Sequence, residues 1–276
     1  MPPASLPDAA RRARALPAMS DPQPPPDAPQ ETFLSHLFEL RTRLVRAIVA
    51  VVVVLFCLFP WAKDIYAALA APLLHALPKG ATMIATDVTG TFFVPLKVTL
   101  MAAFLLALPY VLWQVWAFVA PGLYHHEKRL AIPVIVSSCV FFLIGMSFAY
   151  FVVFPIAFGF FASYTPEGVT MMTDIDKYLS FVLTMFIAFG ITFEVPVVVI
   201  VLVRLGMVSL EKLRSIRSYV IVGAFVVGAI FTPPDVVSQL LLAVPLWLLY
   251  EFGMLMARFF VPPAGDATAA ESDAAK

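Results

Sequence analysis

Residues 178–203 read YLSFVLTMFIAFGITFEVPVVVIVLV, and the one charge among them is Glu194. A bilayer core about 30 Å thick asks for roughly 20 apolar residues in a helix, so the stretch is long enough to cross one. Its apolar residues follow one another without the alternation of a membrane β-strand, and a lipid interior requires every backbone polar group to be paired within the segment. A transmembrane helix meets both conditions. Five comparable runs flank it, at Leu44 to Phe59, Val98 to Val119, Leu130 to Phe154, Tyr219 to Phe231 and Val236 to Ala257. The expected fold is therefore an all-α integral membrane protein of six transmembrane helices. The fifth and sixth are short, since their apolar stretches hold about 13 residues and about 15 before Glu251, or ~20 Å of helix each.

Composition agrees with this reading. The 276 residues are 61% hydrophobic and only 13% charged, with a mean hydropathy of +0.92, where a soluble domain carries about 25% charged residues. Eighteen basic residues balance eighteen acidic ones, so no net basic charge attracts nucleic acid. Cys57 and Cys139 lie singly in apolar runs and offer neither a disulfide framework nor a zinc site. Pro109 and Pro245 fall inside spans and are expected to kink them, and Pro133, Pro155 and Pro196 to bend or end theirs. Residues 1–30, rich in proline, are expected to form a disordered tail, 31–260 the membrane domain, and 261–276 a second disordered tail. No hydrophobic core follows Arg11 and Arg12 closely enough for a cleaved signal peptide, and Met19 offers an alternative start.

Cytoplasmic loops retain lysine and arginine, and six spans put both termini on one side. That side holds Arg41, Arg43, Arg46, Lys128, Arg129, Arg204, Lys212, Arg214, Arg217, Arg258 and Lys276, against Lys63, Lys79, Lys97 and Lys177 on the other. Both termini are thus expected in the cytoplasm. The opposite face carries a long loop from Pro60 to about Lys97, in which residues 62–77 have an amphipathic helical pattern interrupted by Pro72, and a shorter one from Gly159 to Lys177. Between spans five and six there is little more than Thr232, Pro233, Pro234 and Asp235, so these spans form a tight hairpin.

Few polar residues need an explanation. An exposed charge at Glu194 would cost on the order of 3 kcal/mol at mid-bilayer, so its side chain must face protein or water. Two readings stay open for it, a hydrogen bond between helices or a functional contact or proton relay. Gln114 and Gln239 can join helices through their amides. Glu39 in HLFELRTR (36–43) can pair with Arg43 one turn on, worth about 0.3–0.5 kcal/mol, and Glu127 in YHHEKR (124–129) has basic neighbours of its own. His36, His75, His125 and His126 lie outside the spans without metal-ligand spacing. Ser137, Ser138 and Ser147 have no intramembrane histidine to activate them, paired intramembrane aspartates are absent, and no glycine-rich phosphate loop occurs, so an enzyme is not expected. These residues leave a carrier, a channel or a translocase subunit open.

Six short motifs in order narrow the choice: SHLFELR (35–41), TMIATDV (82–88), WAFVAPGLY (116–124), FAYF (148–151), FEVP (193–196) and TPPD (232–235). Over about residues 33–260 the chain resembles the TatC family of twin-arginine translocase subunits. The resemblance implies a cup-shaped six-helix protein of the cytoplasmic (inner) membrane that recognises twin-arginine signal peptides. With TatA, TatB and further copies of TatC it exports folded proteins on the protonmotive force, with no cofactor or metal. It implies signal-peptide binding at Glu39, Arg41, Phe118, Pro121 and Glu127, a partner-helix or polar intramembrane role for Glu194 and Gln239, and structural or loop roles for Pro72 and Asp235. The runner-up is a proton-coupled secondary transporter of a small solute, with Glu194 as its coupling carboxylate.

Overall fold

The computed structural model describes residues 28–67, 82–119, 128–164, 172–232 and 235–260. Its elements in chain order are α1 (Ala28–Leu58), β1 (Thr82–Ile84), α2 (Gly90–Val119), α3 (Lys128–Phe148), α4 (Phe154–Ser163), β2 (Met172–Asp174), α5 (Ile175–Phe193), α6 (Val195–Arg204), α7 (Leu210–Ser215), α8 (Arg217–Phe231) and α9 (Val236–Phe260). Among the described residues, five helical stretches are long and apolar enough to cross a membrane: Leu37–Ala67, Gly90–Val119, Ala131–Phe161, Ile175–Arg204 and Val236–Phe259. The shorter apolar α8 makes the sixth.

The helices run past the apolar stretches that announce them, because the interfacial turns at each end still satisfy their backbone. The sixth helix shows the consequence. It is 25 residues long and continues beyond Glu251, where Arg217 Nη2 donates to Glu251 Oε2 at 2.6 Å. Only its apolar stretch is short; the ion pair lets the charged residue sit within a longer helix. The fifth helix, α8, is short outright at 15 residues.

Prolines shape the spans in two ways. Pro95, Pro109, Pro133 and Pro245 lie inside helices that continue through them. By contrast, a π-helical turn, Ala149–Val153, precedes Pro155, whose ring cannot donate to the carbonyl of Phe151. Pro196 sits in the first turn of α6, and the chain breaks at Glu194 between α5 and α6.

The long helical unit from residue 40 onward is centred on α5, with Val182, Met185 and Phe189 fully buried against Val98 of α2, Val153 and Leu242 of α9. A second cluster joins Leu108, Leu112 and Trp116 to Phe142, Val197 and Val201, and a third joins Val199 and Val203 to Leu213, Tyr250 and Met254. The α1 helix contributes little: Leu44, Ile48, Val49, Val52 and Phe56 are all exposed to the surroundings, as a lipid-facing helix permits.

Close packing depends on glycines, Gly145 and Gly190 among them. A Cβ on Gly145 would strike the backbone carbonyl oxygen of Phe189, while one on Gly190 would strike the ring of Phe142. Small residues let membrane helices approach in this way. Gly145→Ala is expected to destabilise by about 1–3 kcal/mol, the usual cost of overpacking, because a backbone cannot rotate aside. Thermal unfolding in detergent checks this; an unchanged midpoint would contradict the close approach of α3 and α5.

The departure from an all-α fold is a small parallel pair in which Thr82, Met83 and Ile84 face Met172, Thr173 and Asp174. It ties the two loops at one end of the bundle. Of the expected disordered tails, 1–30 and 261–276, residues 28–30 belong instead to the first turn of α1, while 1–27, 261–276 and the loop around Pro72 lie outside the described residues.

Candidate functional site

Glu194 caps the end of α5, its N–H donating to Ile191 O at 3.0 Å, and its own carbonyl accepts the Val198 N–H at 2.9 Å across the break. This break points the side chain toward α3, where Ser138 and Cys139 lie in its electrostatic reach. Neither carboxyl oxygen has a hydrogen-bond partner among the described residues, although both are buried. Ser138 itself is fully buried and accepts the indole N–H of Trp116 at 2.8 Å. A serine hydroxyl carries one proton, and with Trp116 on a lone pair that proton is left to point at an acceptor. Trp116 and Ser138 thus join α2 to α3 beside the α5–α6 break. Gln114 on α2 also leaves its buried Oε1 without a partner among the described residues.

The other site residues fall in different places. Glu39 is half-buried and Arg41 exposed on α1, two positions apart and so on different faces of the helix. Phe118 is half-buried at the penultimate position of α2. Pro121 and Glu127 lie outside the described residues, as does Pro72. Gln239 acts within the α8–α9 hairpin: its Nε2 donates to Phe225 O at 3.0 Å, and its Cγ would lie 3.0 Å from a Cβ on Gly228. Asp235 caps α9 by accepting the Ser238 N–H at 2.7 Å, while its other carboxyl oxygen is buried without a partner among the described residues.

Sequence reasoning missed the clamp on the opposite loops. Asp174 accepts the N–H groups of Asp176 and Lys177 at 2.9 and 3.1 Å as the N-cap of α5. Its second oxygen accepts both the N–H of Thr86, at 3.0 Å, and the Thr86 hydroxyl. The Thr86 hydroxyl, with these backbone donors, pushes the Asp174 carboxyl down to about 2 from the ordinary 3.8. An aspartate immediately before a long apolar run is a cap signal, yet its partner lies 88 residues away. Nearby, Asp87 accepts the hydroxyl and N–H of Thr89, which lower its pKa as well. The motif at 82–88 is thereby fixed to the start of α5.

A family profile described as Sec-independent protein translocase protein (TatC) matches residues 35–245. The chain belongs to the TatC family. It is 59% identical over 230 residues to the Sec-independent protein translocase protein TatC of Azotobacter chroococcum mcd 1, covering 83% of this chain and 90% of that one. It is 55% identical over 231 residues to the TatC of Escherichia coli (strain K12), covering 84% and 90%. A crystal structure described as the twin arginine translocase receptor TatC superimposes with a TM-score of 0.71 at 42% identity, covering 81% of this chain and 98% of that one. As a TatC-family protein the chain is a multi-pass membrane component of a Tat protein translocase and not an enzyme. The small-solute transporter is not the reading that these likenesses support.

Proposed function

We propose that the chain is the signal-peptide receptor and core subunit of its translocase. In this reading it exports folded proteins across the cytoplasmic membrane on the protonmotive force, together with TatA, TatB and further copies of itself. The likeness to the twin arginine translocase receptor carries this reading. Glu39 and Glu127, with Arg41, Phe118 and Pro121, form the site at which the paired arginines bind. Chain order supports their being on one membrane side, since the start of the first span and the turn between the second and third share a side in any six-span protein. A planar guanidinium engages a carboxylate at two points, which an ammonium cannot reproduce. Production in a bacterium whose own TatC has been removed tests the proposal: export of a folded reporter bearing a twin-arginine signal should return, and its failure would overturn the reading.

Both termini are placed in the cytoplasm, with 121–129 and 204–218 on that side and 62–95 and 160–176 opposite. The lysine and arginine distribution supports this. Ser215→Cys is therefore expected to escape a membrane-impermeant thiol reagent in intact cells and to react after lysis. Labelling in intact cells would reverse the orientation.

Glu194 serves as a hydrogen-bonding contact for a partner helix, whether from TatA or TatB, and Gln239 adds a second polar position. Its buried oxygens without partners support this, since such groups cost roughly 1–3 kcal/mol until satisfied. Glu194→Gln retains polar atoms in the same shape and should keep most partner crosslinking, whereas Glu194→Ala should lose it about tenfold, as ~1.4 kcal/mol implies. Identical behaviour of the two variants would remove the hydrogen-bond role.

A further inference from the structure

A groove with a volume of about 320 Å³ opens between α1, α2 and α5, lined by Val51, Leu100, Met101, Phe104, Leu183 and Ile187, with Lys97 beside them. Lys97 lies seven residues into α2, yet its long side chain reaches the start of α5: Nζ donates to Asp176 Oδ1 at 2.6 Å and to Ser180 Oγ at 3.0 Å. A lysine stem that lies along apolar surface while its ammonium seeks the membrane surface is the expected behaviour at this depth. Both members of the pair remain partly open, with side chains 39% and 37% exposed.

We propose that this groove holds one amino-phospholipid, its acyl chain along α2 and its zwitterionic headgroup on Lys97 and Asp176. Three observations commit it to this occupant. The first is shape. From Lys97 to Phe104 the groove runs about 10 Å along α2 as an open apolar channel, the form of a stretch of hydrocarbon chain. A single hydrocarbon chain fits. The second is charge. A lysine ammonium has three protons, and two are used by Asp176 and Ser180; Asp176 Oδ1 is occupied by Lys97 while Oδ2 has no partner among the described residues. A lone anion would meet the carboxylate and a lone cation the ammonium. A phosphate and a primary ammonium in one headgroup satisfy both, the phosphate on Lys97 and the ammonium on Asp176. The third is position, since the polar pair stands at the end of the groove where the apolar span of α5 begins, and the apolar lining extends from there along α2 and α5.

Native mass spectrometry of the full chain reconstituted with defined lipids tests the site. One phosphatidylethanolamine should be retained at least tenfold better than phosphatidylcholine, whose quaternary ammonium cannot donate to Asp176, or than phosphatidylglycerol, which has no ammonium. Asp176→Asn and Lys97→Gln should each lower that retention about tenfold. Leu100→Trp, at an exposed groove position, should lower it with the polar pair intact. Equal retention of the three lipids by the unaltered chain would overturn the headgroup assignment without reliance on any variant's folding. A photoreactive residue at Leu100 should capture lipid in membranes; capture of protein instead would overturn the lipid occupant in favour of a partner helix.

Discussion

Replacing Glu39 and Glu127 by alanine is expected to weaken twin-arginine peptide binding about 30-fold for each residue. This follows from ~2 kcal/mol per truncated partner, the lower end for desolvated charge pairs because the sequence puts both carboxylates at span ends. The internal cations do not prevent it. A Glu39–Arg43 pair one helical turn apart on a helix surface would be worth only about 0.3–0.5 kcal/mol, so a guanidinium that docks in a partly dehydrated site can displace it. Glu→Asp at either position keeps the charge but shortens the reach, and should cost less than alanine. If one carboxylate served both arginines, the single variants would differ sharply and the double variant would add little to the worse of them. Titration of a labelled peptide against the purified protein separates these outcomes. Near-native binding by a folded double variant would return both residues to an interfacial role.

The second large effect belongs to the short hairpin. The α8 helix has 15 residues, or about 22 Å at 1.5 Å per residue, against a hydrocarbon core of ~30 Å. A helix that short thins the bilayer beside it at a modest cost per ångström. We expect this thinning to lower the barrier to cargo passage. The sixth helix is not short overall, but its apolar stretch ends at Glu251, whose pairing with Arg217 holds the start of α8 and the last part of α9 at one depth. Inserting one turn of leucine in α8 and one before Glu251 in α9 should abolish most export while leaving peptide binding unchanged. Export at the original rate would remove local thinning from the mechanism.

Particular residues show what the chain discloses before it is folded. The six spans follow from apolar runs, because lipid enforces helices and leaves no competing conformation. The break at Glu194 was visible in Pro196, and the tight hairpin in residues 232–235. The strand pair was hidden: three-residue strands carry no alternation to detect, and Thr86 finds Asp174 only through the fold. The Trp116–Ser138 bond was equally hidden, since a tryptophan near a span's end reads first as an interfacial anchor, whereas here it is buried against another helix. Of the proposed peptide site, the sequence supplies acidic residues at span ends, and their binding role comes from the family resemblance alone. The clamp partners and the Lys97 groove depend on contacts between distant helices, which no local period records.

The central claim, that this chain reads paired arginines, is tested most directly by a competition experiment. Purified protein is titrated with a twin-arginine signal peptide and with the same peptide carrying two lysines. The guanidinium fork predicts that the lysine peptide binds at least tenfold more weakly at equal net charge. Equal affinities would contradict the account, because net positive charge alone would then explain the binding.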